Sequence, residues 1–359
     1  MSLKDPRIKK QAKVIVEHSL KVKTGENVAI YADFVAKPLV LELYEQLIKK
    51  GAKEIKLHFS DYEFGQIFFE NASYEQLRNF PQTTMDEMKA MDCYISIRAT
   101  NNLKALSGVD AKKIAQRSLT TKPIQDYRMQ KLRWVVTEYP TNAQAQETDM
   151  SLSEYEHFVF SAINNVDWKK KFMEQEKIRK LVDATDKVHI LAKDTDLTLS
   201  VKARKAENAG GEFNMPDGEI FTSAVENSAE GHVTYSFPAI FMGREFSKVR
   251  LEFEKGKVVR ARSDKNEKDL NNILDMDKGA RFIGELGLGN NYKINKFVKN
   301  ILFDEKIGGT IHIALGRGYP KTLSKNNSAL HWDMIKDLRS GGELYFDNKL
   351  VQKNGNWLI

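Results

Sequence analysis

The chain has 359 residues, 41% of them apolar and 29% charged, with 19 Phe, 12 Tyr and 4 Trp. That length exceeds the roughly 250 to 300 residues at which a single core stops growing, and the composition excludes a disordered chain, so a two-domain globular protein is expected. The net charge of +7 comes from lysines interleaved with acids, as in DWKKKFMEQEKIRK at 167–180, a solvated helix face without any zinc-finger or RNP-type motif, so no nucleic acid partner is expected.

No apolar stretch approaches the roughly 18 residues needed to cross a bilayer, and MSLKDPRIKKQAKVIVEHSL lacks the apolar segment of a signal peptide. The single cysteine, Cys93, excludes an intrachain disulfide and a cysteine-based metal site. A cytoplasmic address and no membrane partner follow as expectations. Cys93 lies in the alternating DCYISIR, where a small buried hydrophobe is the expected role.

In chain order, residues 5–22 read as a helix with Ile8, Ala12, Ile15 and Leu20 near one face. Gly25 punctuates before the strand NVAIYAD, Pro38 opens a helix through LVLELYEQLIKK, Gly51 closes it, and KEIKLHF alternates as a second strand. Further strands are expected at DCYISIR and LRWVVTEY, with helices between and after. Beyond a charged helix ending near 180–182 the texture changes. KVHILAKDTDLTLSVKA, GHVTYSF, KVRLEFE and KVVRARS read as strands, the last two joined as a hairpin across Lys255 and Gly256. Helical EKDLNNILDM follows, and GELYFDNKLVQKNGNWLI closes the chain as another hairpin. The expected fold class is α/β: an N-terminal open α/β domain, residues 1–185, followed by an α+β, strand-rich domain, residues 186–359.

Four stretches of the second half set ionisable residues among glycines and apolar neighbours: NMPDGEIFTS, RFIGELGLGNN, TIHIALGRGYP and SALHWDM. Their centres are Glu219, Glu285, His312, and the pair His331 and Asp333. Two-metal hydrolytic sites need hard carboxylate oxygens with imidazole nitrogens, and this set has that composition. His331 and Asp333 stand two apart, so on an extended segment both point to one side. Singly, each residue has an ordinary reading: a satisfied core histidine, a turn acid beside glycine, a structural hydrogen bond. HExxH is absent, which argues against a single-zinc protease of the thermolysin type. Two alternatives stand beside the hydrolase. The glycines of GELGLGNN and ALGRGYP suggest a nucleotide-binding α/β protein, although neither completes G-x-G-x-x-G. The other is a non-catalytic binding protein that keeps the fold.

The stretches NMPDGEIFTS, DMDKGARFIGELGLG, LFDEKIGGTIHIALGRGYP and NNSALHWDM resemble, in order and spacing, the metallo-aminopeptidase family that includes aminopeptidase T and aminopeptidase S. TGENVAIYAD, KPLVLELYEQLIKKGAKEI and MSLSEYEHFVFSA extend the likeness over nearly the whole chain. The resemblance implies that Glu219, Glu285, His312, His331 and Asp333 are metal ligands, with Glu305 of FDEKIGG as a further acidic ligand and Tyr319 as the active-site tyrosine. It also implies a homodimer acting on short peptides. Two divalent ions per subunit are expected: zinc by ligand type, with cobalt, manganese and magnesium compatible. They would lower the pKa of a shared water, so that metal-bound hydroxide attacks the first peptide bond while one ion holds the free α-amino group. Glu285 or Glu219 is the expected general base, and Tyr319 the expected donor to the tetrahedral oxyanion.

Overall fold

The computed structural model of the chain describes residues 5–359. The chain divides into two compact units, one running to Val166 and including Gly211–Pro216, the other comprising Asp167–Gly210 and Asp217–Ile359. The division therefore falls after Val166, not near residue 185. The charged helix Trp168–Asp183 buries a stripe of Trp168, Gln175, Ile178 and Val182, and its Ile178 and Val182 join the apolar core of the second unit. Its exposed lysines mask a helix that is half interior.

The first unit is a parallel sheet. Helix α1 (Pro6–Val14) begins where the Asp5 carboxylate accepts the Arg7 N–H at 2.8 Å and Pro6 occupies the first turn, where no backbone donor is needed. Strand β1 (Asn27–Asp33) pairs with β2 (Glu54–Ser60) on one side and with β3 (Cys93–Arg98) on the other. Strand β4 (Arg133–Glu138) pairs with β3 and with the short strand Asn214–Met215. Helix α2 (Lys37–Lys50) crosses from β1 to β2, burying Leu39, Val40, Leu43 and Leu47. Gly51 ends it at φ +84°, with the N–H groups of Gly51 and Ala52 donating to the carbonyls of Ile48 and Leu47, a left-handed cap that favours glycine. Cys93 is fully buried in β3, and burial pushes its thiol up to about 12, which makes it an inert core side chain.

The second unit holds two large antiparallel sheets and the two-stranded ribbon of Ala239–Phe241 and Arg244–Phe246. Eight strands form one of them, in the order 257–262, 250–254, 230–234, 195–200, 187–192, 343–346, 349–353, 356–357. The hairpin between the first two turns on Lys255 and Gly256, both at positive φ. The second sheet runs β9-β8-β7-β6-β5, where β5 is Glu207–Ala209, β6 Glu219–Thr222, β7 Ile283–Gly289, β8 Thr310–Gly316 and β9 His331–Asp337. Alternate residues of these strands, among them Ile220, Leu286, Leu288, Ile311, Ile313, Leu315, Trp332 and Met334, share one apolar core with Val188, Ile190, Leu197, Leu199 and Leu251 of the larger sheet. Because strand side chains alternate, the residues between them point to the opposite face.

Candidate metal centre

That opposite face carries Glu219 of β6, Glu285 of β7, His312 of β8, and His331 and Asp333 of β9. The register places a small residue across the ladder from each of them. Glu219 faces Gly289, Glu285 faces Ala314, His312 faces Gly287, Asp333 faces Ala314 and His331 faces Gly316. Long polar side chains then lean over empty neighbours and converge. The pairing shifts between Ile283 and Glu285, with Gly284 packed so closely on Gly316 that a Cβ would stand 2.2 Å from its carbonyl oxygen. Such a bulge re-aims the side chain that follows it, here Glu285. From the helix 168–183, the Gln175 amide donates to the carbonyls of Glu219 at 3.0 Å and Ala209 at 3.1 Å, fixing β6 in place.

Ligand atoms of Glu219, Glu285 and His312 lie within 4.8 Å of one another, as do those of Glu305, His312 and Asp333. His312 Nε2 is 3.2 Å from Glu285 Oε1 and 3.4 Å from Glu219 Oε2. His331 joins through Asp333, with Nε2 3.2 Å from Oδ2. Its other nitrogen, Nδ1, stands 2.7 Å from the Arg317 carbonyl. A carbonyl only accepts, so Nδ1 carries a hydrogen and Nε2 is the atom turned to the site.

Glu305 reaches the cluster from the end of the helical turn Ile301–Asp304, although seven positions separate it from His312. The intervening turn is pinned by Gly308 N–H to Asn291 O and Gly309 N–H to Gly289 O, both 3.0 Å. Tyr319 stands beside the cluster, its ring 5.4 Å from that of His331 and 5.5 Å from that of Phe221. Burial and the surrounding carboxylates push its phenol well above the ordinary value, so it remains a hydrogen-bond donor. All six expected ligands are thus brought together, and Tyr319 adjoins them.

Two participants carry no signal in the sequence. Lys306 is fully buried, its ammonium 3.3 Å from Glu219 and in contact with Glu305. Asp277, inside the DMDKGARFIG stretch, accepts from the Ser328 hydroxyl and from the N–H groups of Gly279, Ala280 and Ala329 at 2.7–3.0 Å, tying down the segment that enters β9.

Burial pushes the carboxyls of Glu219, Glu285 and Glu305 upward. Asp333 is also buried, yet His331 holds it down at about 2. Burial opposes charge on both histidines, but Glu285, Glu219 and Asp333 raise His312 to about 9, and Asp333 raises His331 to about 10. Even so, Glu219 Oε2, Glu285 Oε2 and Asp333 Oδ1 are buried acceptors that no donor meets. Three carboxylate oxygens without hydrogen-bond donors converge beside two imidazoles, a donor set that hard divalent ions bind. Next to His331 and Asp333 opens a cavity of about 160 Å³ walled by Ile240, Phe241, Phe297 and Ile301.

The antiparallel sheet thus carries a converging Glu, His and Asp set with the donor chemistry of a divalent metal site. Residues 4–357 match the thermophilic metalloprotease (M29) family. The chain belongs to that family and is a metallo-aminopeptidase, a hydrolase of peptide bonds. It is 25% identical to aminopeptidase AmpS of Bacillus subtilis (strain 168) over 96% of this chain and 97% of that one. To aminopeptidase T of Thermus aquaticus it is 34% identical over 166 residues, 41% of this chain and 40% of that one. Wild-type AmpT from Thermus thermophilus superposes with a TM-score of 0.88 at 22% identity, covering 99% of each chain, and shares the fold. Among the described residues no helix is long and apolar enough to cross a membrane.

Proposed function

We propose that the chain removes the first residue of short peptides using two divalent ions, zinc by ligand type, held by Glu219, Glu285, Glu305, His312, His331 and Asp333. The observation that carries this reading is the set of buried carboxylate oxygens without donors, gathered on one sheet face with both histidines. Bound divalent ions supply Lewis acidity, activating water and polarising the scissile carbonyl.

The chain's own groups do the rest. Glu285 is the general base: both glutamates touch His312, but the Glu219 carboxylate is also engaged by Lys306. Tyr319, kept as a phenol, donates to the oxyanion. The cavity beside His331 and Asp333 receives the first side chain of the substrate, and its apolar walls favour leucyl and aromatic residues. A homodimer and a cytoplasmic address belong to the same reading, supported by the family resemblance and by the single buried cysteine.

The test strips the protein with a chelator, restores zinc or cobalt, and assays leucyl amide against its N-acetyl derivative. Metal-dependent release from the free amine alone is expected. Equal turnover of the acetylated compound, or none of either by metal-replete protein, would overturn the aminopeptidase reading.

A further inference from the structure

The described feature that the hydrolytic chemistry leaves unused is Lys306. A lysine without solvent exposure is uncommon, because burying an ammonium is costly unless it is paired. Lys306 is paired twice, with Glu219 at 3.3 Å and with Glu305. Both partners belong to the clusters that can hold a cation. Its backbone is fixed as well: the Asn291 N–H donates to the Lys306 carbonyl, and the Lys306 N–H donates to Phe303 O, each at 3.0 Å. The ammonium is therefore held inside the carboxylate set, against Glu219 of one cluster and Glu305 of the other.

We propose that Lys306 is a built-in counter-cation that, by holding one carboxylate of each candidate cluster, makes the second of two bound ions weak and exchangeable. The inference rests on the reading of this cluster as a metal centre. Competition sets the direction, since an ion bound to Glu219 or Glu305 must share or displace the contacts that Lys306 now makes. Like charges a few ångströms apart in a buried site repel strongly.

The experiment titrates chelator-stripped full-length protein with Zn²⁺ alone, by calorimetry and by elemental analysis after dialysis, for wild type, Lys306→Met and Lys306→Arg. Wild type and Lys306→Arg are expected to retain one ion per chain and to bind a second at least about tenfold more weakly. Lys306→Met, similar in length but uncharged, is expected to retain two. Thermal unfolding with and without zinc gives a second readout, and Lys306→Met should gain the larger rise in Tm on metal addition. Two equally tight ions in wild type, or a folded Lys306→Met with wild-type stoichiometry and affinities, overturns the role of Lys306 and leaves the metal centre standing. If Lys306→Met does not fold, the wild-type titration decides. Wild type that binds no divalent ion overturns the metal centre itself, a separate failure.

Discussion

His312 and Gly287 face each other across the β7–β8 ladder, and the imidazole fills the place where residue 287 would carry a side chain. A Cβ there would stand 1.9 Å from both Cε1 and Nε2 of His312. The smallest possible substitution, Gly287→Ala, must therefore displace the ring from between Glu219 and Glu285. Its expected effect is a loss of about 10- to 100-fold in zinc affinity with the secondary structure retained. Calorimetry and far-UV circular dichroism on the same sample check it, and unchanged affinity would show that the imidazole position is unimportant for metal.

Glu285 and Glu219 are separable by substitution. Glu285→Gln is expected to lower kcat about a hundredfold or more while zinc content changes less, as loss of a general base does. Glu219→Gln releases one partner of Lys306 and is expected to show mainly as weaker zinc retention. Single-turnover rates beside elemental analysis separate the two, and the reverse pattern would exchange the roles.

Asp277 predicts a pH effect away from the ligands. Burial pushes its carboxyl up, but the Ala329 N–H, the Ser328 hydroxyl and the N–H groups of Gly279 and Ala280 outweigh that and hold it below the ordinary value. A carboxyl lowered on folding contributes stability above its unfolded pKa of roughly 3.9 and loses it as pH falls through the folded value. Asp277→Asn should cost about 1 kcal/mol at pH 7, with the gap from wild type closing below about pH 4. Urea denaturation at both pH values measures it, and a gap that persists in acid would contradict the assignment.

The cavity predicts selectivity. Ile301→Trp places bulk at a wall of the space beside His331 and Asp333. The expected result is about a tenfold fall in kcat/KM for leucyl amide with alanyl amide nearly unchanged. A parallel fall for both substrates would mean that the first side chain lies elsewhere.

The first unit was largely legible because its punctuation is local. Pro38 and Gly51 bracket α2, and β1, β3 and β4 are runs of β-branched and aromatic residues. The spacing of His331 and Asp333 was legible for the same reason, since period two survives in β9. Strand β7, IGELGLG, was obscured by the glycines at 284, 287 and 289, which weaken any strand signal. Two of them clear space for His312 and for the Ile307 carbonyl, and Gly284 for the bulge. That requirement exists only once β8 lies alongside. Lys306 was hidden for a similar reason: next to Glu305 it reads as an ordinary surface charge, and only the turn through Gly308 and Gly309 takes it inside. The domain boundary was displaced because a helix with lysines on one face and Trp168, Ile178 and Val182 on the other looks solvated until its partner sheet is present.

Residues 211–216 leave the second unit long enough to add the strand Asn214–Met215 beside β4, where the Thr137 hydroxyl donates to Met215 O at 2.6 Å. Their flanks, up to Gly210 and from Asp217, belong to the other unit. No single cut in the chain therefore separates one intact unit from the other. A fragment ending at Val166 lacks its fifth strand, and one beginning at Asp167 carries a six-residue loop made for a sheet it has lost. During synthesis the same dependence means that the first unit is completed only after part of the second has been made.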